Sequence, residues 1–190
     1  MKLFFHPYLR YKFLNSLFTG IAGGSVFTIY GSLSPSTFSV GGIVLAVGLM
    51  GMAYAYHRLM TLKRFFILSL IAEAVMLLMI GFFLIFSHYQ ITALVIYSAY
   101  QLSFVFGGYL VRAETHFARK ARIMGWIDIV KQQGYLGGLL LSYLFYKGLE
   151  NYNIVSPSEQ VYWLHCILIP LEVTIIAFLI SAFKQQSDVQ

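Results

Sequence analysis

Charge is what this chain has least of. Only 11% of its 190 residues are Asp, Glu, Lys or Arg, against about 25% in a soluble domain. That scarcity excludes a surface solvated on every side. Cysteine is nearly absent: Cys166 stands alone, which excludes an internal disulfide and any metal or redox motif built from several cysteines. It reads as a small apolar filler. The histidines His6, His57, His88, His116 and His165 form no i, i+4 pair, so haem or metal ligation is not expected. There is no H-E-x-x-H, no G-x-S-x-G and no Ser–His set at a common depth. Neither an enzyme nor a cofactor is indicated.

What is present is apolar: 59% of the residues are hydrophobic and the mean hydropathy is +0.75. Six stretches, at about 13–33, 40–57, 65–86, 92–111, 124–146 and 161–183, each approach the ~20 residues that cross a hydrocarbon core. They fill most of the chain, so residues 1–190 read as one six-helix domain of an all-α integral membrane protein. Eleven of the 13 Lys and Arg flank one set of span ends, among them Lys2, Arg10 and Lys12 before the first span and Arg112, Arg119, Lys120 and Arg122 after the fourth. By the positive-inside rule both termini are expected in the cytoplasm. The net charge of +6 is then a topology signal in a protein whose partner is the lipid bilayer, and it calls for no nucleic acid. The basic, aromatic start MKLFFHPYLRYKF runs on into the first span and reads as an uncleaved helix.

Glycines mark where helices can approach closely. Gly20 and Gly24 stand in G-x-x-x-G spacing, Gly41 and Gly48 lie in the second span, and Gly134 and Gly138 lie in the fifth. Such residues let backbones touch in lipid, either within the chain or at a dimer face. The third span, FFILSLIAEAVMLLMIGFFLIF, is bulky and uniformly apolar and is expected to be peripheral and lipid-exposed.

Four ionisable residues fall inside spans: Glu73, Asp128, Lys131 and Glu172. Insertion scales place Asp or Lys at a helix centre about 2.5–3.5 kcal/mol uphill, so each needs a partner, water or a function. Asp128 and Lys131 are three apart and so neighbours on one helix face. With Gln132, Tyr135 and Ser142 they form a polar stripe, which either lines a water-filled cavity or is a structural pair that orients the helix. Glu172 reads either as a neutral hydrogen-bonded side chain or as a proton-carrying carboxyl, and Glu73 either as structural or as a coupling residue.

Six spans with internal termini and basic loops after the second and fourth resemble one half of a major facilitator superfamily transporter. LRYKFLNSLFTGIAGG (9–24) is similar to the lead into that family's first helix, and RAETHFARKARIMGWIDIV (112–130) to its loop between helices 4 and 5. GYLGGLLLSYLF (134–145) is similar to its glycine-rich fifth helix. YAYHRLMTLKRFF keeps Arg58, Lys63 and Arg64 of the gating signature after helix 2, with His57 where the signature has Asp and Met60 where it has Gly. A complete transporter of this kind has two six-helix halves. The resemblance therefore implies a half-size transporter working as a parallel homodimer in a bacterial inner (plasma) membrane, by alternating access and with possible proton coupling. Its substrate would contact Lys131, Gln132 and the cluster Tyr97, Tyr100 and Gln101. The resemblance also puts spans 3 and 6 at the periphery. A competing expectation is a non-transporting subunit or scaffold whose polar residues bind a partner membrane protein.

Overall fold

A computed structural model describes residues 1–31, 33–86 and 90–184. The expected loop residues His88 and Tyr89 lie outside the described residues. The fold is helical throughout: α1 (Phe5–Tyr30), α2 (Pro35–Tyr54), the one-turn α3 (Tyr56–Leu59), α4 (Leu62–Phe86), α5 (Gln90–Ala118), α6 (Ala121–Asn151) and α7 (Pro157–Ala182). Two-residue strands β1 (Lys2–Leu3) and β2 (Phe183–Lys184) pair antiparallel. This clasp holds residues 2–3 and 183–184 at the same end of the bundle, here called the terminal end. The Phe4 N–H extends it by donating to the Ala182 carbonyl at 2.9 Å.

The helix boundaries follow local chemistry. Ser34 caps α2 by accepting from the Thr37 N–H, with Pro35 in the first turn, where its missing N–H does no harm. Pro157 opens α7 in the same way, with Glu159 in the first turn, where an acid favours the positive end of the helix. Between α5 and α6 the reversal takes only Arg119 and Lys120, with Arg119 in the left-handed region at φ 53°. A cytoplasmic loop was expected from 112 onward. Instead RAETHFA continues α5, because it contains neither Gly nor Pro and hydropathy marks where apolarity ends, not where a helix ends.

Five described helices, α1, α2, α4, α5 from Thr92 and α7, are long and apolar enough to cross a membrane. The protein is thus an all-α chain with the makings of an integral membrane protein. The sixth expected span lies in α6, the longest helix at 31 residues, whose Asp128, Lys131, Gln132 and Gln133 keep it below that apolarity.

The helices pack side by side in the order α2, α5, α4, α7, α1, α6. That order is symmetric. Taking α1, α2 and α4 as one triplet and α5, α6 and α7 as another, the second helix of each triplet is outermost, the first helix of the other triplet lies just inside it, and the third helices meet in the middle. Directions agree with this. α1 and α6 run parallel, Gly134 lying on Phe13 and Gly138 on Leu17. α2 and α5 also run parallel, Gly41 against Tyr97 and Gly48 against Val105. α4 and α7 are antiparallel, with Phe66 on Phe183 at one end and Phe83 on His165 at the other. One triplet is therefore the other turned over, an inverted repeat with its axis between α4 and α7.

This arrangement corrects the expected periphery. α4 and α7 form the middle of the row, with Phe65, Leu168, Ile175 and Leu179 almost fully buried. α2 is the exposed helix, presenting Val40, Ile43, Val44, Val47 and Met50 outward. Apolarity alone did not distinguish them, since a helix facing lipid and a helix facing other helices are both apolar. The glycines take the packing role within the chain. A Cβ on Gly20, Gly134 or Gly138 would strike backbone atoms of the facing helix, one on Gly41 would meet the Tyr97 ring, and one on Gly48 would meet Val105. Gly24 has only Tyr146 nearby, 3.9 Å from where a Cβ would be.

Candidate functional site

At the terminal end three helices converge on one carboxylate. Glu114 of α5 is 8% exposed and lies 2.9 Å from Lys12 Nζ of α1 and 3.6 Å from Lys131 Nζ of α6. The Tyr8 hydroxyl donates to Glu114 Oε1 at 2.6 Å. Lys12 is itself buried, its ammonium 5.5 Å from the ring centroids of both Tyr8 and Tyr11, within cation–π range. One helical turn along α1 the network continues. The Tyr11 hydroxyl donates to Glu73 Oε1 at 2.6 Å, and the Asn15 amide donates to both Glu73 oxygens at 3.0 and 3.2 Å. Glu73 is 4% exposed and Glu172 0% exposed, and their carboxyls lie beside each other where α4 meets α7. The result is a buried polar track from Lys131 through Glu114 and Lys12 to Glu73 and Glu172.

A cavity of about 290 Å³ opens beside this track at the terminal end. Phe5, Phe65, Phe117 and Ile127 wall it, with Tyr8 and Glu114 at its polar edge. It gives the ionic cluster an approach from the side on which β1 and β2 pair. At the far end α1 meets α5 through rings instead: Tyr30 packs edge-on against Tyr97 at 5.3 Å and Tyr100 at 6.2 Å, and Phe38 of α2 packs against Tyr97. The Tyr97 hydroxyl donates to the Phe38 carbonyl at 3.1 Å. Gln101, between the two ends, has a buried carbonyl oxygen with no donor among the described residues.

The expected stripe on α6 divides in two. Ile127, Lys131, Gly134, Gly138 and Ser142 recur at helical spacing and turn inward. Asp128 at 72% exposure, Gln132 and Tyr135 turn outward, on a face that no other described helix covers. Lys131, at 29% exposure, stands between Glu114 and an Asp128 that is 3.8 Å away. Neighbours at i, i+3 therefore belong to different surroundings, and the closer partner of Lys131 is on another helix.

Two other expectations also change. Lys131 is at the terminal end and Tyr97 at the far end. Glu114 and Tyr97 are 17 residues apart on α5, roughly 25 Å at 1.5 Å per residue, so one small solute cannot touch both groups at once. His57 and Arg58 on α3 and Lys63 and Arg64 at the start of α4 are all exposed, and none makes an ion pair among the described residues. His57 Nδ1 is instead 3.0 Å from the Tyr54 carbonyl oxygen.

Sequence reasoning missed Lys12, Glu114, Tyr8, Tyr11 and Asn15. Lys12 reads in the sequence as one of the flanking cations that report topology, and Glu114 as part of a basic loop. One signal was available: Glu114 is the lone acid in the basic segment RAETHFARKAR, which a topology signal alone does not require. Among the described residues no group of three or more His, Cys, Asp or Glu could hold a metal ion. No protein family, curated protein or solved structure matches the chain.

Proposed function

We propose that this chain is a half-size secondary transporter of a small solute, assembled as a parallel homodimer in the plasma membrane, with all six long helices crossing the bilayer. The observation that carries this reading is the three-helix cluster Lys12–Glu114–Lys131 inside an otherwise apolar bundle. Buried ion pairs are seldom the most stable filling for a core; apolar residues of similar volume often do as well or better. In lipid the penalty for charge is added to that. A purely structural bundle has no reason to keep such a cluster, whereas a gate that must open and close does.

The geometry supports two gates on the same helix pair. The Lys12–Glu114 ion pair and the Tyr8–Glu114 hydrogen bond join α1 to α5 at the terminal end, and the Tyr30–Tyr97–Tyr100 rings join them at the far end. Separation at one end while the other stays closed is alternating access, and inverted repeats are the common architecture for it. The parallel register of α6 along α1, from Phe13 to Tyr146, supports counting α6 as a crossing helix, which makes the number even and agrees with the clasped ends. Asp128, Gln132 and Tyr135 on the outer face of α6 suit a hydrated surface facing a second copy.

The test uses Gln101→Cys in a Cys166→Ser background, in sealed vesicles of known orientation, with a membrane-impermeant maleimide. Glu114→Gln should loosen the terminal gate and raise labelling from the cytoplasmic side. A Gln101→Cys that stays unlabelled from both sides, with and without Glu114→Gln, would refute the reading. The scaffold reading rests on the same outward stripe on α6, and it predicts that static result together with a co-purifying membrane partner.

A further inference from the structure

The middle of the bundle poses a question of charge that the gates do not address. Three carboxyls are buried along the track, Glu114 towards the terminal end and Glu73 and Glu172 in the middle. The cations that reach them are Lys12, which is buried, and Lys131, which is partly exposed. Asp128 is solvated and draws on Lys131 as well. Three acids face two lysines, so one negative charge has no counterpart. Such a charge in a low-dielectric interior is not tolerated as it stands.

Hydrogen bonding shows where the deficit falls. Glu114 has both lysines and Tyr8. Glu73 accepts from Tyr11 and twice from Asn15, the environment of an ionised carboxylate. Glu172 has neither kind of support: both its oxygens are buried and, among the described residues, no donor reaches them. What lies beside them is the carboxyl of Glu73, acceptor against acceptor. Groups facing this pair come from every packed helix: Tyr11, Lys12 and Asn15 on α1, Tyr100 on α5 and, farther along the track, Glu114. Among the described residues Lys12 is the only cation of this set, and it is held 2.9 Å from Glu114.

We propose that Glu73 and Glu172 form a proton-binding site that holds one exchangeable proton between the two carboxyls. Glu172 carries it as a carboxylic acid and donates its O–H to the Glu73 carboxylate. One added proton supplies the missing positive charge and turns two facing acceptors into a donor–acceptor pair. The charge-assisted O–H···O⁻ bond that results is among the stronger hydrogen bonds available to a protein. The two acids come from the third helix of each inverted triplet and meet at the repeat interface, near the middle of both helices. The Tyr11–Lys12–Glu114 track gives a proton held there a polar route along which to exchange. The site follows from packing and charge alone, so it stands whether or not the chain moves a solute.

The experiment is infrared spectroscopy of the full chain in ether-linked lipid, which has no ester carbonyl to obscure the carboxylic acid C=O stretch. At neutral pH the wild-type protein should show that band at an intensity of about one carboxyl per chain, with a downshift in D₂O. The Glu172→Gln variant, whose amide still donates to Glu73, should fold and lose the band. If that variant does not fold, the wild-type band and its deuterium shift decide the matter alone. Absence of the band in wild type at neutral pH overturns the proposal, as does its persistence in folded Glu172→Gln. A band that sodium or potassium abolishes at constant pH also overturns it, by assigning the site to a metal cation.

Discussion

Replacing Glu114 by Gln removes the carboxylate in direct contact with Lys12 while leaving the ammonium where it is. Lys12 cannot escape easily: it is buried between α1 and α5, and its nearest aromatic neighbours, Tyr8 and Tyr11, already surround it. The rings therefore add no compensation that the wild type lacks. Lys131, less buried, can swing toward the interface and contributes little to the loss. Breaking a buried pair from one side costs about 3–5 kcal/mol, because a charge is left desolvated and alone. In a membrane the unfolded chain also finds polar partners, which reduces the difference, so the lower limit of about 3 kcal/mol is expected here. Lys12→Met combined with Glu114→Gln removes both charges at similar volume and should recover most of that loss. Reversible unfolding in mixed detergent–SDS micelles, followed by far-UV circular dichroism, measures both variants. A double variant no more stable than Glu114→Gln alone would refute the pairing. So would a single variant costing under about 1 kcal/mol, the range of solvated surface pairs.

Two further outcomes test the fold around this cluster. Gly138→Leu should destabilise by at least about 1–3 kcal/mol in the same assay, because the added Cβ meets the Leu17 carbonyl and the Gly20 Cα, backbone atoms that cannot rotate aside. Gly23→Leu, with nothing within 4 Å of the added Cβ, should leave stability unchanged, and equal effects at the two sites would mean α1 and α6 do not touch. For topology, Ser156→Cys should react with an impermeant thiol reagent on intact cells and Arg119→Cys only after permeabilisation. The reverse pattern would put the terminal end, with its cavity and ion pairs, outside.

The class of this protein was legible in composition. An apolar chain with little charge, a single cysteine and long uninterrupted stretches can satisfy its backbone in lipid only as helices, and the helices formed where those stretches lie. The approximate span centres and the close approach at Gly20, Gly134 and Gly138 were legible for the same reason: both are local properties of side-chain size and polarity. Glu73 and Glu172 could also be singled out, since an acid in an apolar run stands out whatever surrounds it. Their partners could not. Tyr11 and Asn15 are 62 and 58 residues from Glu73, and Tyr8 is 106 residues from Glu114. Nothing in the local pattern of α4 or α5 specifies which residues of α1 will face it. Hydropathy likewise ended the fourth span at 111, whereas helix α5 runs on to Ala118 and carries Glu114 into contact with Lys12. Tertiary structure alone made α4 and α7 the centre of the row and α2 its edge, because similar apolar surfaces can be covered equally well by lipid or by another helix. It also gave Lys131 a second partner besides Asp128, the buried Glu114 at 3.6 Å, which belongs to another helix and which no local pattern of α6 specifies.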